Sequence, residues 1–210
     1  FTLHTASHSS GQLLESTENT PDTKLGFHND GLLSSGNLEI PKNILLYNLY
    51  IGYRSPGKFK WIPTALWKEA DNFGKAARSD NIKINIALTP YFNLNEKGKM
   101  TKTEFDCMEI PISSLDKLGQ KRFFLNGKIL NDKNPPEYIK FVQKIKESLE
   151  FNAVNISIEQ KERRAFYFKN TMGFHARDIF EDPIEGIDLT RVFLRSVDVN
   201  AEIYPSNILV

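Results

Sequence analysis

Short runs of β-branched and aromatic residues, each closed by a polar turn, recur along this chain, and a chain built that way must pair its strands into sheets that cover one another. The longest run, "NILLYNLYIGY" at 43–53, is closed by "RSPGK" and reads as a buried strand ending in a turn. Strand-like segments follow at 81–88 ("NIKINIAL") and 104–112 ("EFDCMEIPI"), separated by "NLNEKGKM", which reads as a surface hairpin. Others are "NAVNISI" at 152–158, "RAFYF" at 164–168, "TRVFLRSVDV" at 190–199 and "AEIY" at 201–204. Two stretches break this pattern. From Thr64, "TALWKEADNFGKAA" spaces Leu66, Ala70, Phe73 and Ala77 at helical intervals, with Pro63 just outside and Thr64 placed as N-cap. "NPPEYIKFVQKIKESLEF" opens on prolines suited to a first turn and repeats Tyr138, Phe141, Val142, Ile145 and Leu149 on one face. Residues 5–23 are rich in Ser, Thr and Asn and read as loop with one brief strand around Leu13 and Leu14. The expectation is a mainly β fold with inserted helices, a sandwich or jelly roll, over residues 1–210 as a single domain.

Charge and cysteine usage narrow the partners. The 27 basic and 26 acidic residues leave a net charge of +1, so nothing in the overall charge calls for nucleic acid or an anionic membrane. Cys107 is the single cysteine, which excludes an internal disulfide framework and any multi-cysteine metal site, and suits a reducing compartment. With no apolar run of membrane-spanning length and no signal-peptide order at the start, a cytoplasmic protein is expected. The start at Phe1 leads us to expect that an N-terminal part has been removed. No Gly-rich phosphate loop follows a strand. Small ligands remain.

Of the four histidines, His4 and His8 lie four apart in "HTASHSSG", a poor helix with no acid between them, and are expected to be solvated. His28 heads "HNDG". With 26 acids among 210 residues, four histidines give about half a His-X-acid match by chance, so the motif alone is weak. Asn-Asp-Gly also suits a hairpin turn with positive backbone angles. His175 sits in a short apolar segment and is followed, after an acidic loop, by a strand in which Arg191, Phe193 and Arg195 share a face. Two arginines there are costly to bury unless anions compensate them, and Asp178, Asp182 and Glu185 are available as structural partners.

Taken together, "HND" at 28–30, "GFHARDIF" around His175 and the Arg191/Arg195 pair resemble the iron(II)/2-oxoglutarate-dependent oxygenases, in the branch of clavaminate synthase and taurine dioxygenase. Most of the chain from Gly11 to Ser196 takes part, most weakly between 55 and 130. His28 and His175 lie 147 positions apart, a separation of the size this branch shows. Where the family often has a Gly-rich turn with a cosubstrate-binding threonine, this chain has "SPGKFKWIPT". The resemblance implies a double-stranded β-helix in which His28, Asp30 and His175 hold iron(II), the facial arrangement that leaves positions open for 2-oxoglutarate and dioxygen. Arg191, with Arg195 assisting, would hold the far carboxylate of 2-oxoglutarate through bidentate hydrogen bonds. The implied reaction decarboxylates 2-oxoglutarate to succinate and oxidises an unactivated C–H bond. Because Asp30 is present where halogenating relatives have Ala or Gly, hydroxylation is expected rather than halogenation.

The relatives mostly act on free amino acids or similar small zwitterions. By analogy Arg195 could reach a substrate carboxylate while acids near 5–23 meet an amine. Phe27, Phe174 and Phe193 are expected to be ordinary core. Two other readings stay open: a non-catalytic jelly-roll binding module, and a cupin-type hydrolase or isomerase using the same three ligands with zinc or manganese to activate water.

Overall fold

Strand Asn43–Ile51 alternates enough apolar side chains to bury Ile44 and Ile51, and it is the hub of the structure. The computed structural model describes residues 2–7, 24–34, 37–87, 92–94, 100–102, 108–125, 128–129, 131–198 and 202–205. Cys107, His8, the expected strand at Leu13–Leu14 and the acids of 8–23 lie outside them.

Eight strands form two four-stranded antiparallel sheets: β1 (Thr2–Ser7), β2 (Leu25–His28), β3 (Asn43–Ile51), β4 (Lys58–Pro63), β5 (Ile156–Glu159), β6 (Ala165–Lys169), β7 (Gly173–Arg177) and β8 (Leu189–Val197). One sheet has the order β1-β8-β3-β6 and the other β5-β4-β7-β2. The sheets face each other across a layer of aromatic side chains. Phe59 of β4 stacks on Phe166 of β6 at 4.7 Å and lies 5.3 Å from Phe168. Ile44 completes this cluster, with Leu46, Trp61 and Val197 packed against it.

The outer face of the second sheet is covered as well, and there the larger core lies. Helix α1 (Ala70–Ser79), helix α2 (Pro136–Asn152) and the small sheet built on strand Lys83–Ala87 bury Ile84, Ile86, Ile110, Val142, Ile145 and Leu149 with Phe174 of β7. Being covered on both faces, β7 is buried along its whole length. Its alternation separates the two cores. Phe174 packs on Trp67 and Phe123, whereas the His175 ring lies against Phe168 in the sandwich interior.

Helix α2 begins at the expected prolines and buries the expected face, with Tyr138 and Phe141 at its margin. Helix α1 starts five residues later than the spacing predicts, its N-cap at Glu69 rather than Thr64. Thr64–Leu66 form one 3₁₀ turn, and Trp67 bridges to Ala153 as a strand residue. The indole accounts for the delay: it is buried among Phe73, Phe123 and Phe174, and its N–H donates to Ser148 Oγ at 2.7 Å. Such a site fixes Trp67 against α2 and leaves the helix to begin after it. Residues 5–7, read as loop, belong to β1, and "KFKWIP", read as part of a turn region, is a central strand. Strands Phe92–Leu94 and Met100–Lys102 pair as the expected hairpin. No helix among the described residues is long and apolar enough to cross a membrane.

Candidate metal centre

β2 and β7 run antiparallel with His28 opposite His175, which brings the rings to a centroid separation of 4.2 Å. Two residues beyond His28 the chain delivers Asp30 to the same place. Its Oδ1 lies 3.4 Å from His28 Nε2 and 3.5 Å from His175 Nε2. All three ligand atoms fall within 4.8 Å of one another. The segment is not a hairpin turn: among the described residues positive φ occurs at Asn81, Gly119, Arg163, Asp182 and Gly186, and at none of Asn29, Asp30 or Gly31.

The local hydrogen bonds suit ligation. His28 Nδ1 lies 2.8 Å from the Gly26 carbonyl, to which it donates, and Nε2 is the nitrogen that faces Asp30. Burial, and then the neighbouring His28, push the His175 pKa down to about 4 against the pull of Asp30, so this imidazole is neutral at neutral pH. Burial opposes ionisation of Asp30. The Arg195 guanidinium beside it, with help from His175 and His28, outweighs that and holds the carboxyl well below its ordinary range. Two imidazole nitrogens and one carboxylate oxygen, turned to a common point, are a donor set that fits a divalent transition metal.

Both arginines of β8 turn inward. Arg195 reaches across from the opposite sheet, its Nη2 donating to Asp30 Oδ2 at 2.7 Å. Asp30 thus turns one oxygen to the histidines and the other to an arginine. The Arg191 guanidinium lies over the Phe193 ring at 4.2 Å, and its Nη2 donates to Asn48 Oδ1 and Gln160 Oε1, both at 2.9 Å. Asp178 and Asp182 pair instead with Lys60 and Arg54. Phe27 and Phe174 are ordinary core, as expected.

Several contributors are invisible in the sequence as single residues. Asn29 is 1% exposed and Asn170 fully buried, and both hold the segment around Asp30. Asn48 and Gln160 are buried around Arg191. The one usable signal is Asn48, a polar residue in the middle of an apolar strand.

No family model matches the chain, and no curated protein matches it. Solved structures do. An asparagine oxygenase in complex with Fe(II), 2S,3S-3-hydroxyasparagine and succinate superposes with a TM-score of 0.55 at 13% identity, covering 84% of this chain and 50% of its own. A taurine dioxygenase from Burkholderia xenovorans gives 0.56 at 17%, covering 93% and 63%. AAD-2 in complex with Mn(II) and N-oxalylglycine gives 0.61 at 13%, covering 95% and 75%. The chain has the fold of these proteins. It spans half the length of the asparagine oxygenase and under two thirds of the taurine dioxygenase.

Proposed function

We propose that this chain is an iron(II)- and 2-oxoglutarate-dependent oxygenase that hydroxylates an unactivated C–H bond of a small molecule. The observation that carries this is the convergence of His28, Asp30 and His175 at one point between two sheets, with Arg195 on the same carboxylate. The two facing four-stranded antiparallel sheets, between which all successive strands but β4 and β5 alternate, support reading the fold as a jelly roll, here a double-stranded β-helix.

In this reading His28, Asp30 and His175 hold the metal. Bound there with 2-oxoglutarate, iron(II) supplies oxidative decarboxylation coupled to oxidation of a C–H bond. The protein's own part is orientation and exclusion of water. The Gly26 carbonyl fixes the His28 ring. Phe59 and Phe168 close the sandwich around His175. Arg195 keeps Asp30 ionised with one oxygen turned away from the histidines. With Arg195 paired to Asp30, this reading assigns the far carboxylate of 2-oxoglutarate to Arg191, whose guanidinium also donates to Asn48 and Gln160. The substrate class follows by analogy with the asparagine oxygenase and taurine dioxygenase of like fold: a free amino acid or a compound of similar size and charge.

The test is anaerobic addition of iron(II) and 2-oxoglutarate to the purified protein. The reading expects a visible charge-transfer band from the chelate in the wild type and none in His175→Ala. A folded wild-type protein that gives no band overturns it.

A further inference from the structure

Between the two ligands of the "HND" motif sits a residue usually treated as a spacer. Here Asn29 is 1% exposed, and its side chain makes three hydrogen bonds. Nδ2 donates to the carbonyls of Asn170 (2.8 Å) and Gly173 (2.7 Å), and Oδ1 accepts the Leu125 N–H (2.9 Å). Its own N–H donates to the Leu125 carbonyl at 2.8 Å. Asn170, fully buried, completes the arrangement from the other side. Its Oδ1 accepts the Asp30 N–H at 2.8 Å, and its Nδ2 donates to the carbonyls of Asp30 and Pro41, both at 2.9 Å.

Resting on the reading of His28, Asp30 and His175 as metal ligands, we infer that Asn29 and Asn170 are positioning residues that set the Asp30 carboxylate relative to the His175 imidazole. Both backbone groups of Asp30 are held by one side chain, that of Asn170. Gly173, two residues before His175, is held by Asn29. The carboxylate and the distal imidazole therefore hang from one fully bonded buried network, although they lie 145 positions apart. Buried amides satisfied in this way are rigid, because any displacement strands a polar atom away from water. A ligand set needs its geometry held to about half an ångström, and partners of this kind change metal affinity by roughly ten- to a hundredfold.

The test uses single-atom changes. Asn170→Asp keeps the acceptor for the Asp30 N–H and turns an oxygen toward the Asp30 and Pro41 carbonyls. Asn29→Asp does the same toward Asn170 and Gly173. Cobalt(II) titration of the metal-free proteins, read by visible absorption, gives Kd, and melting in EDTA gives Tm. The inference expects Kd to rise about ten- to a hundredfold in folded variants. Variants with a lowered Tm but a wild-type Kd would make the pair merely structural and overturn it. Hydrogen exchange of the wild-type Asp30 amide decides the case if both variants unfold. Protection already present without metal supports a preset network, and exchange at the free-chain rate overturns it. Failure of the wild type itself to bind cobalt(II) is a different result, since it removes the metal centre on which the inference rests.

Discussion

The pairing of Arg195 with Asp30 can be measured without any metal. The pair joins two sheets through a 2.7 Å charge-assisted bond, with side-chain exposures of 13% and 21%. At an effective dielectric of about 20 and a charge separation of about 4 Å the attraction is about 4 kcal/mol. Removing one partner of a well-buried pair costs about 3–5 kcal/mol, and the residual exposure of Asp30 places this pair near the lower end, about 3 kcal/mol. Arg195→Met, Asp30→Asn and the double variant close a thermodynamic cycle, in which the Asp30 contacts to His28 and His175 cancel. Urea unfolding in EDTA at pH 7 should give a coupling free energy of about 2–3 kcal/mol, with the double variant less unstable than the two single losses added together. A coupling within the range of exposed pairs, under about 1 kcal/mol, would refute the reasoning. It would mean that the carboxylate turns freely in the metal-free protein and that Arg195 does not hold one of its oxygens away from the histidines.

Two further outcomes follow from the same region. A Cβ on Gly173 would sit 2.5 Å from the Ile62 carbonyl oxygen and 2.7 Å from Trp61 Nε1, so Gly173→Ala should cost about 1–3 kcal/mol in thermal or urea unfolding, and a variant as stable as wild type would show that β7 can shift freely against β4. His175 protonates near pH 6.5 in the unfolded chain but only near 4 in the buried site, so its contribution to metal-free stability is full above about 6.5 and should fall by about 2 kcal/mol from pH 7 to pH 5. His175→Gln should remove that part of the fall, and an unchanged pH slope in the variant would assign it elsewhere.

The sequence and the structure part company for physical reasons that differ from residue to residue. Helix α2 was legible because its apolar period runs unbroken behind two prolines, whereas Trp67 falls within the stretch read as helix from Thr64 and is held outside α1 by a tertiary site 81 positions away at Ser148. β2 has a single buried residue, Phe27, in four, and β7 is buried on both faces, so neither shows the alternation by which a strand is recognised. Those two strands carry the histidines. Residue types and the long separation pointed to His28, Asp30 and His175, and their shared point depends on an antiparallel register that only the fold supplies. The paired arginines were legible as sharing a face. Their division of labour was not, because it depends on which buried group each meets: Asp30 for Arg195, Asn48 and Gln160 for Arg191. Asparagine gives the weakest sequence signal of all, since the same residue favours exposed turns. Buried, it must be fully bonded, and that requirement ties Asn170 to the Asp30 backbone and Asn29 to the backbone of Asn170 and Gly173. The three candidate ligands named from the sequence therefore sit on backbone held by residues that the sequence did not single out, and substitutions at those positions test the architecture independently of substitutions at His28, Asp30 and His175.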